Sequence, residues 1–217
     1  MINGVIFDMD GLMLDTEKMW ATFWEPALAE LGLPYKEGLA EAARGTAGET
    51  TRKVVRSFYG EDCDANAIID NLHKVADKAF EPPVPKKPGI DELLAWLEQQ
   101  HIPMAVASSS REFAIRHHLD NWNMTHYFQA IVSGQHVTRS KPDPEIFLLA
   151  AEKLGVDPAH CLVLEDSYNG VRAGAAGGFV TVMVPDLMPP DDEMRRLCTT
   201  VCKSLYEVQE KLQKNEL

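Results

Sequence analysis

Val5-Ile6-Phe7-Asp8-Met9-Asp10-Gly11-Leu12-Met13-Leu14-Asp15-Thr16 sets a short apolar run against two carboxylates that follow it one residue apart. An uninterrupted β-branched run of this kind reads as a strand buried on both faces, the habit of parallel sheets. Four later runs share its character: Met104-Ala105-Val106-Ala107, Ala130-Ile131-Val132, Cys161-Leu162-Val163-Leu164 and Val180-Thr181-Val182-Met183-Val184. Amphipathic stretches lie between them. Ile90, Leu93, Leu94 and Leu97 form one stripe behind Pro88-Gly89. Ile146, Phe147, Ala150 and Leu154 form another, opened by Pro142-Asp143-Pro144 and closed by Gly155. Strands alternating with helices predict an α/β fold with a doubly wound parallel sheet.

The alternation fails in one place. After Asp15-Thr16, which reads as a helix cap, Trp20, Phe23, Trp24, Ala27, Leu28 and Leu31 recur at helical spacing. Helical patterning runs on to Phe80, with breaks near Gly32, between Gly45 and Gly48, and at Gly60. No strand pattern appears before Met104. An all-helical insert between the first strand and its crossover helix explains this, and Pro82-Pro83-Val84-Pro85-Lys86-Lys87-Pro88 marks the return. The expected division is a core of residues 1–15 and 86–217 and a helical domain of residues 16–85.

The chain has 217 residues, 21 Lys+Arg against 33 Asp+Glu, and a formal net charge of −12, with 45% apolar residues. That composition is globular and excludes wholesale disorder, collagen-like and coiled-coil architectures. The acidic balance argues against nucleic acid or an anionic membrane as partner, yet a site with its own bound cation can still take an anionic small molecule. The opening apolar run is too short for a signal sequence, so a cytoplasmic protein is expected. The four cysteines lack zinc-ribbon and redox spacing and read as reduced thiols. Cys198 and Cys202 would share a metal only if one helix carried both. Adjacent His117 and His118 cannot share a helix face and read as a solvated or partly packed pair.

In an open parallel sheet, ligands bind beyond the carboxyl ends of the strands. Those ends carry Asp8 and Asp10, then Ser108-Ser109-Ser110, then Ser140-Lys141, then Glu165-Asp166. Four carboxylates converging on one crevice repel one another unless a cation joins them, and hard oxygen ligands suit Mg²⁺. Asp8 can then attack phosphorus and form an aspartyl-phosphate. Asp10 can protonate the departing oxygen and later take a proton from water. Lys141 and the Ser108 hydroxyl can hold phosphoryl oxygens. Trp20 is the aromatic residue best placed to cover a substrate, although a stripe of this kind also builds core.

The combination resembles the haloacid-dehalogenase superfamily, in particular its phosphatases and phosphomutases with a small helical cap over a Rossmann-like core. Phe7 to Glu17 resembles the family's first motif, Ala107 to Ser110 the second, Ser140 to Pro144 the third and Leu164 to Gly170 the fourth. The resemblance implies Asp8 as nucleophile, Asp10 as acid/base, Ser108 and Ser109 as phosphate-binding residues, and Lys141 as the charge-balancing lysine. It implies Mg²⁺ on Asp8, the Asp10 carbonyl and Asp166, with Glu165 a direct or water-mediated ligand, and substrate contacts from Asn169, Trp20, Arg44 and Gly45. A small phosphorylated metabolite is the implied partner, and a monomer the implied state. A β-phosphoglucomutase would carry a histidine where Trp20 stands and an arginine within Arg44-Gly45-Thr46-Ala47-Gly48, where glycine stands; both departures favour hydrolysis. A receiver-type phospho-acceptor module is disfavoured by the helical insert and by Asp8-x-Asp10 on the first strand.

Overall fold

The computed structural model describes residues 1–217. In chain order, β1 (Gly4–Phe7) is followed by four helices, α1 (Glu17–Glu30), α2 (Leu39–Ala43), α3 (Glu49–Tyr59) and α4 (Ala65–Ala79). Then come α5 (Ile90–Gln99), β2 (Met104–Ser108), α6 (Glu112–Asn121), β3 (Ala130–Ser133) and α7 (Glu145–Leu154). The chain ends with β4 (Cys161–Glu165), α8 (Tyr168–Ala176), β5 (Val180–Met183), α9 (Asp192–Leu197), β6 (Thr200–Val201) and α10 (Leu205–Gln213). Two compact units result: Met1–Asp15 with Pro85–Leu217, and Thr16–Val84. No helix is long and apolar enough to cross a membrane.

The first unit is the expected α/β fold. Its six strands run in the order β3-β2-β1-β4-β5-β6, every neighbouring pair parallel. β1 is central, with Phe7 level with Val106 on one side and Leu164 on the other, and all four of its residues are buried. One apolar layer sets Ile6, Val132 and Val163 against Ile146, Phe147 and Ala150 of α7. A smaller cluster joins Val171, Met183 and Met194. The small-residue face of α8 allows close approach to the sheet: a Cβ on Gly174 would lie 2.6 Å from Thr181 Oγ1.

Three strands run one residue past the apolar runs, so that Ser108, Ser133 and Glu165 are strand residues, while Val184 lies outside β5. β6 is two residues long, too short to leave a pattern in sequence. His118 is a correction: it is 2% exposed on α6, because that helix turns His118 inward with Ile115 and Leu119 and leaves His117 to stack on Phe113. Cys198 ends α9 and Cys202 follows β6, so no helix carries both thiols, and all four cysteines are free.

The second unit is all helical. Thr16 occupies the N-cap of α1 without the side-chain capping bond its type suggested. Phe23, Trp24, Ala27 and Leu28 are buried along α1, and Ile68, Leu72 and Ala76 along α4. The Asn71 amide of α4 donates to the Ala27 carbonyl at 2.7 Å.

Candidate active site

β1 delivers Asp8 to the carboxyl edge of the sheet, where its backbone N–H donates to the Leu164 carbonyl of β4 at 3.0 Å. Asp8 is only 6% exposed. Lys141, between β3 and α7, reaches in from the other side. Its ammonium donates to Asp8 Oδ1 and to Glu165 Oε1, each at 2.6 Å, and to the Ala107 carbonyl at 3.3 Å, and it lies 4.7 Å from the Phe147 ring centroid. Three oxygen acceptors and an aromatic face thus fix one cation beside the strand ends.

The other oxygen of Glu165 is also engaged. Oε2 accepts from the backbone N–H groups of Asp166 and Ser167 and from the Ser167 hydroxyl, all at 3.0 Å. Ser167 in turn caps α8 by accepting from Gly170 N–H. Asp166 follows at once and is 7% exposed. One carboxylate oxygen each of Asp8, Glu165 and Asp166 lies within 4.8 Å of the others.

Asp10 sits beyond Asp8 on a tight turn. Its Oδ2 accepts from Ser110 Oγ at 2.7 Å and from Ser108 Oγ at 3.2 Å, while Ser110 N–H donates to Ser108 Oγ at 3.0 Å. Ser110 is the residue the sequence reading missed. Its only signal is being third in a run of serines; the backbone turn after β2 exposes Ser109 and turns Ser110 back to Asp10. Asn169, in the first turn of α8, accepts through Oδ1 from Arg172 at 3.2 Å.

The remaining expected substrate residues belong to the second unit. Trp20 packs edge-on against Phe23, His73 and Phe80. Arg44 is the C-cap of α2, and Gly45 follows at φ 63°.

The electrostatics follow from burial. Desolvation pushes the Asp8 carboxyl well above the usual carboxylate range; the Lys141 charge opposes this, and those of Glu165 and Asp10 add to it. Burial by itself would lower the Lys141 ammonium, but Asp8 and Glu165 overcome it and raise its pKa. Asp8, Glu165 and Asp166 are three buried carboxylates grouped around one buried lysine. A hard divalent cation fits that donor set.

The sequence profile of the haloacid dehalogenase-like hydrolases matches residues 5–184. The fructose-1-phosphate phosphatase YqaB of Escherichia coli is 32% identical over 181 residues, 83% of this chain and 95% of that protein. The β-phosphoglucomutase of Bacillus subtilis is 30% identical over 195 residues, 87% of this chain and 85% of that protein. In three dimensions a β-phosphoglucomutase from Clostridium difficile superposes with a TM-score of 0.80 at 23% identity, covering 100% of this chain and 99% of that one, which speaks for the fold. A matched profile that spans all four strand ends of the acidic pocket decides the classification: the chain belongs to the haloacid dehalogenase-like hydrolases.

Proposed function

We propose that the protein is a Mg²⁺-dependent phosphatase that hydrolyses a small phosphomonoester, of sugar phosphate or nucleoside monophosphate type, through an aspartyl-phosphate on Asp8. The observation that carries this reading is Asp8 itself: a buried carboxylate at a strand end, ion-paired at 2.6 Å to a buried lysine and within 4.8 Å of two further carboxylates. Such a group is shielded from water and oriented, as a nucleophile at phosphorus requires.

An Asp8 carboxylate oxygen attacks phosphorus, forming an O–P bond while the ester P–O bond breaks. Asp10 delivers its proton to the leaving alkoxide. Water then attacks phosphorus, the Asp8–phosphate bond breaks, and Asp10 takes up the proton released. Lys141 holds Asp8 in place and offsets phosphoryl charge, and the Ser108 hydroxyl and the Ser109 N–H bind phosphoryl oxygens. Asp8, the Asp10 carbonyl and Asp166 would hold Mg²⁺, which supplies charge neutralisation to the phosphoryl group. Glu165 would join them as a direct or water-mediated ligand, and it also sets Lys141 through Oε1. Asn169 would meet the substrate at the α8 end. Trp20, Arg44 and Gly45 of the helical unit, acting as a cap, would choose the leaving group.

The relation to sugar-phosphate phosphatases supports hydrolysis, and Trp20 with Gly48 in place of the residues a mutase needs argues against phosphoryl return. The test is phosphate release with and without Mg²⁺ across hexose phosphates, hexitol phosphates, nucleoside monophosphates and pseudouridine 5′-phosphate. Metal-dependent release is expected, lost by about 10⁴-fold or more in Asp8→Asn. Conversion of β-glucose 1-phosphate to glucose 6-phosphate without release would assign a mutase instead.

A further inference from the structure

The loop that carries Ser108 to Ser110 is braced from behind by the end of β3 and the single 3-10 turn after it, Gly134–His136. Ser133, fully buried, donates from Oγ to the Ser110 carbonyl at 2.6 Å. The Gly134 backbone is pressed so closely on the loop that a Cβ there would lie 2.8 Å from the Ser109 carbonyl. Gln135 accepts through Oε1 from the N–H of Glu112, the first residue of α6, at 3.0 Å. His136 closes the frame. Its Nδ1 accepts from Ser133 N–H at 3.2 Å, so its proton is on Nε2, which donates to Glu112 Oε2 at 2.8 Å. Arg116 holds the other Glu112 oxygen at 2.7 Å.

The bonds form one line from the surface to the chemistry: Glu112 to His136, His136 to Ser133, Ser133 to Ser110, Ser110 to Asp10. We propose that Ser133, locked by the His136–Glu112 pair, is a positioning residue that fixes Ser110 and through it aims the Asp10 carboxyl at the leaving-group oxygen. The proposal rests on the reading of Asp10 as the acid/base. Ser133 touches no substrate atom. It sets the Ser110 backbone, and a main-chain error there is passed directly to a 2.7 Å contact with Asp10. A displacement of about 1 Å among reacting groups can cost a hundredfold in rate.

A leaving group that needs no proton separates this role from a merely structural one. Ser133→Ala is expected to lower kcat on an alkyl phosphate substrate about tenfold with KM unchanged. The pre-steady-state burst of p-nitrophenolate from p-nitrophenyl phosphate, whose leaving group departs unprotonated, should change less than about twofold. Ser133→Thr, which keeps the hydroxyl, should recover most of the alkyl-phosphate rate. His136→Ala, at a partly exposed position, should show the same leaving-group-selective loss at about threefold. Equal losses on both substrates, or no loss in either variant, overturn the proposal. A wild-type protein that releases phosphate from no ester would instead overturn the phosphatase reading, so the two failures are distinguishable.

Discussion

A methyl group on Gly170 would lie 1.8 Å from the Glu165 carboxyl carbon and from Oε1, well inside van der Waals contact. Gly170 stands within α8, where helix propensity alone favours alanine by about 1 kcal/mol. Sterics point the other way, because Glu165 would have to leave Lys141, Asp166 and Ser167 together. Gly170→Ala is therefore expected to cut kcat about a hundredfold or more and to lower the melting temperature, read by phosphate release and a thermal melt. Near-wild-type turnover would mean that Glu165 does not set the lysine. This residue scale is also where sequence reading was sharpest and where it ran out. Asp8, Asp10, Glu165 and Asp166 each come just after an apolar run, so their gathering follows from the sheet, while Lys141 arrives on the longer connection between β3 and α7. Ser110 was missed because neighbouring serines differ only in the turn that aims them, and His118 because one histidine of an adjacent pair can face inward while the other faces out.

At the scale of elements, α1 shows how the helical unit is tied together. Pro26 lies inside α1 and brings no N–H, so the Thr22 carbonyl lacks its usual intrahelical donor; both residues are exposed, and water can serve that carbonyl. Near the end of the helix Leu31 N–H turns to the Leu28 carbonyl, and the Ala27 carbonyl takes the buried Asn71 amide of α4 instead. Deleting that amide leaves a buried carbonyl unpaired. Asn71→Ala should cost about 1–3 kcal/mol, seen as a lower urea midpoint at unchanged slope; an unmoved midpoint would show that water replaces the amide. The helical spacing of Phe23, Trp24, Ala27 and Leu28 made this element readable from sequence, whereas the partnership with Asn71, 44 residues away, leaves no local signal. The same holds for β6, whose two residues are ordered by pairing with β5 rather than by any pattern of their own.

For the whole molecule, the three buried thiols tie the packing of the folded state to pH. Burial pushes the Cys161 thiol up to about 12 and the Cys202 thiol up to about 11, and also raises Cys198. An unfolded chain ionises its thiols near pH 8.5. A raised folded-state pKa contributes stability that is fully present below the unfolded value and is lost as pH climbs through the folded value. Between about pH 8.5 and pH 12 the unfolded state therefore binds fewer protons than the native state, and stability falls with rising pH. The net charge of −12 adds to the decline as lysines lose their protons, so the wild-type slope alone cannot assign it to thiols. Cys161→Val can. It keeps an apolar side chain of similar size at a fully buried strand position and removes the titrating group. The melting temperature of the wild type is expected to fall from pH 8 to pH 10.5, and that of Cys161→Val to fall less steeply. Under native conditions at pH 8, a disulfide reagent should modify the half-buried Cys63 promptly and the three buried thiols only after unfolding. Parallel pH slopes for the two proteins, or prompt native modification of two or more thiols, would show that the core around β4 opens to solvent far below the global unfolding transition.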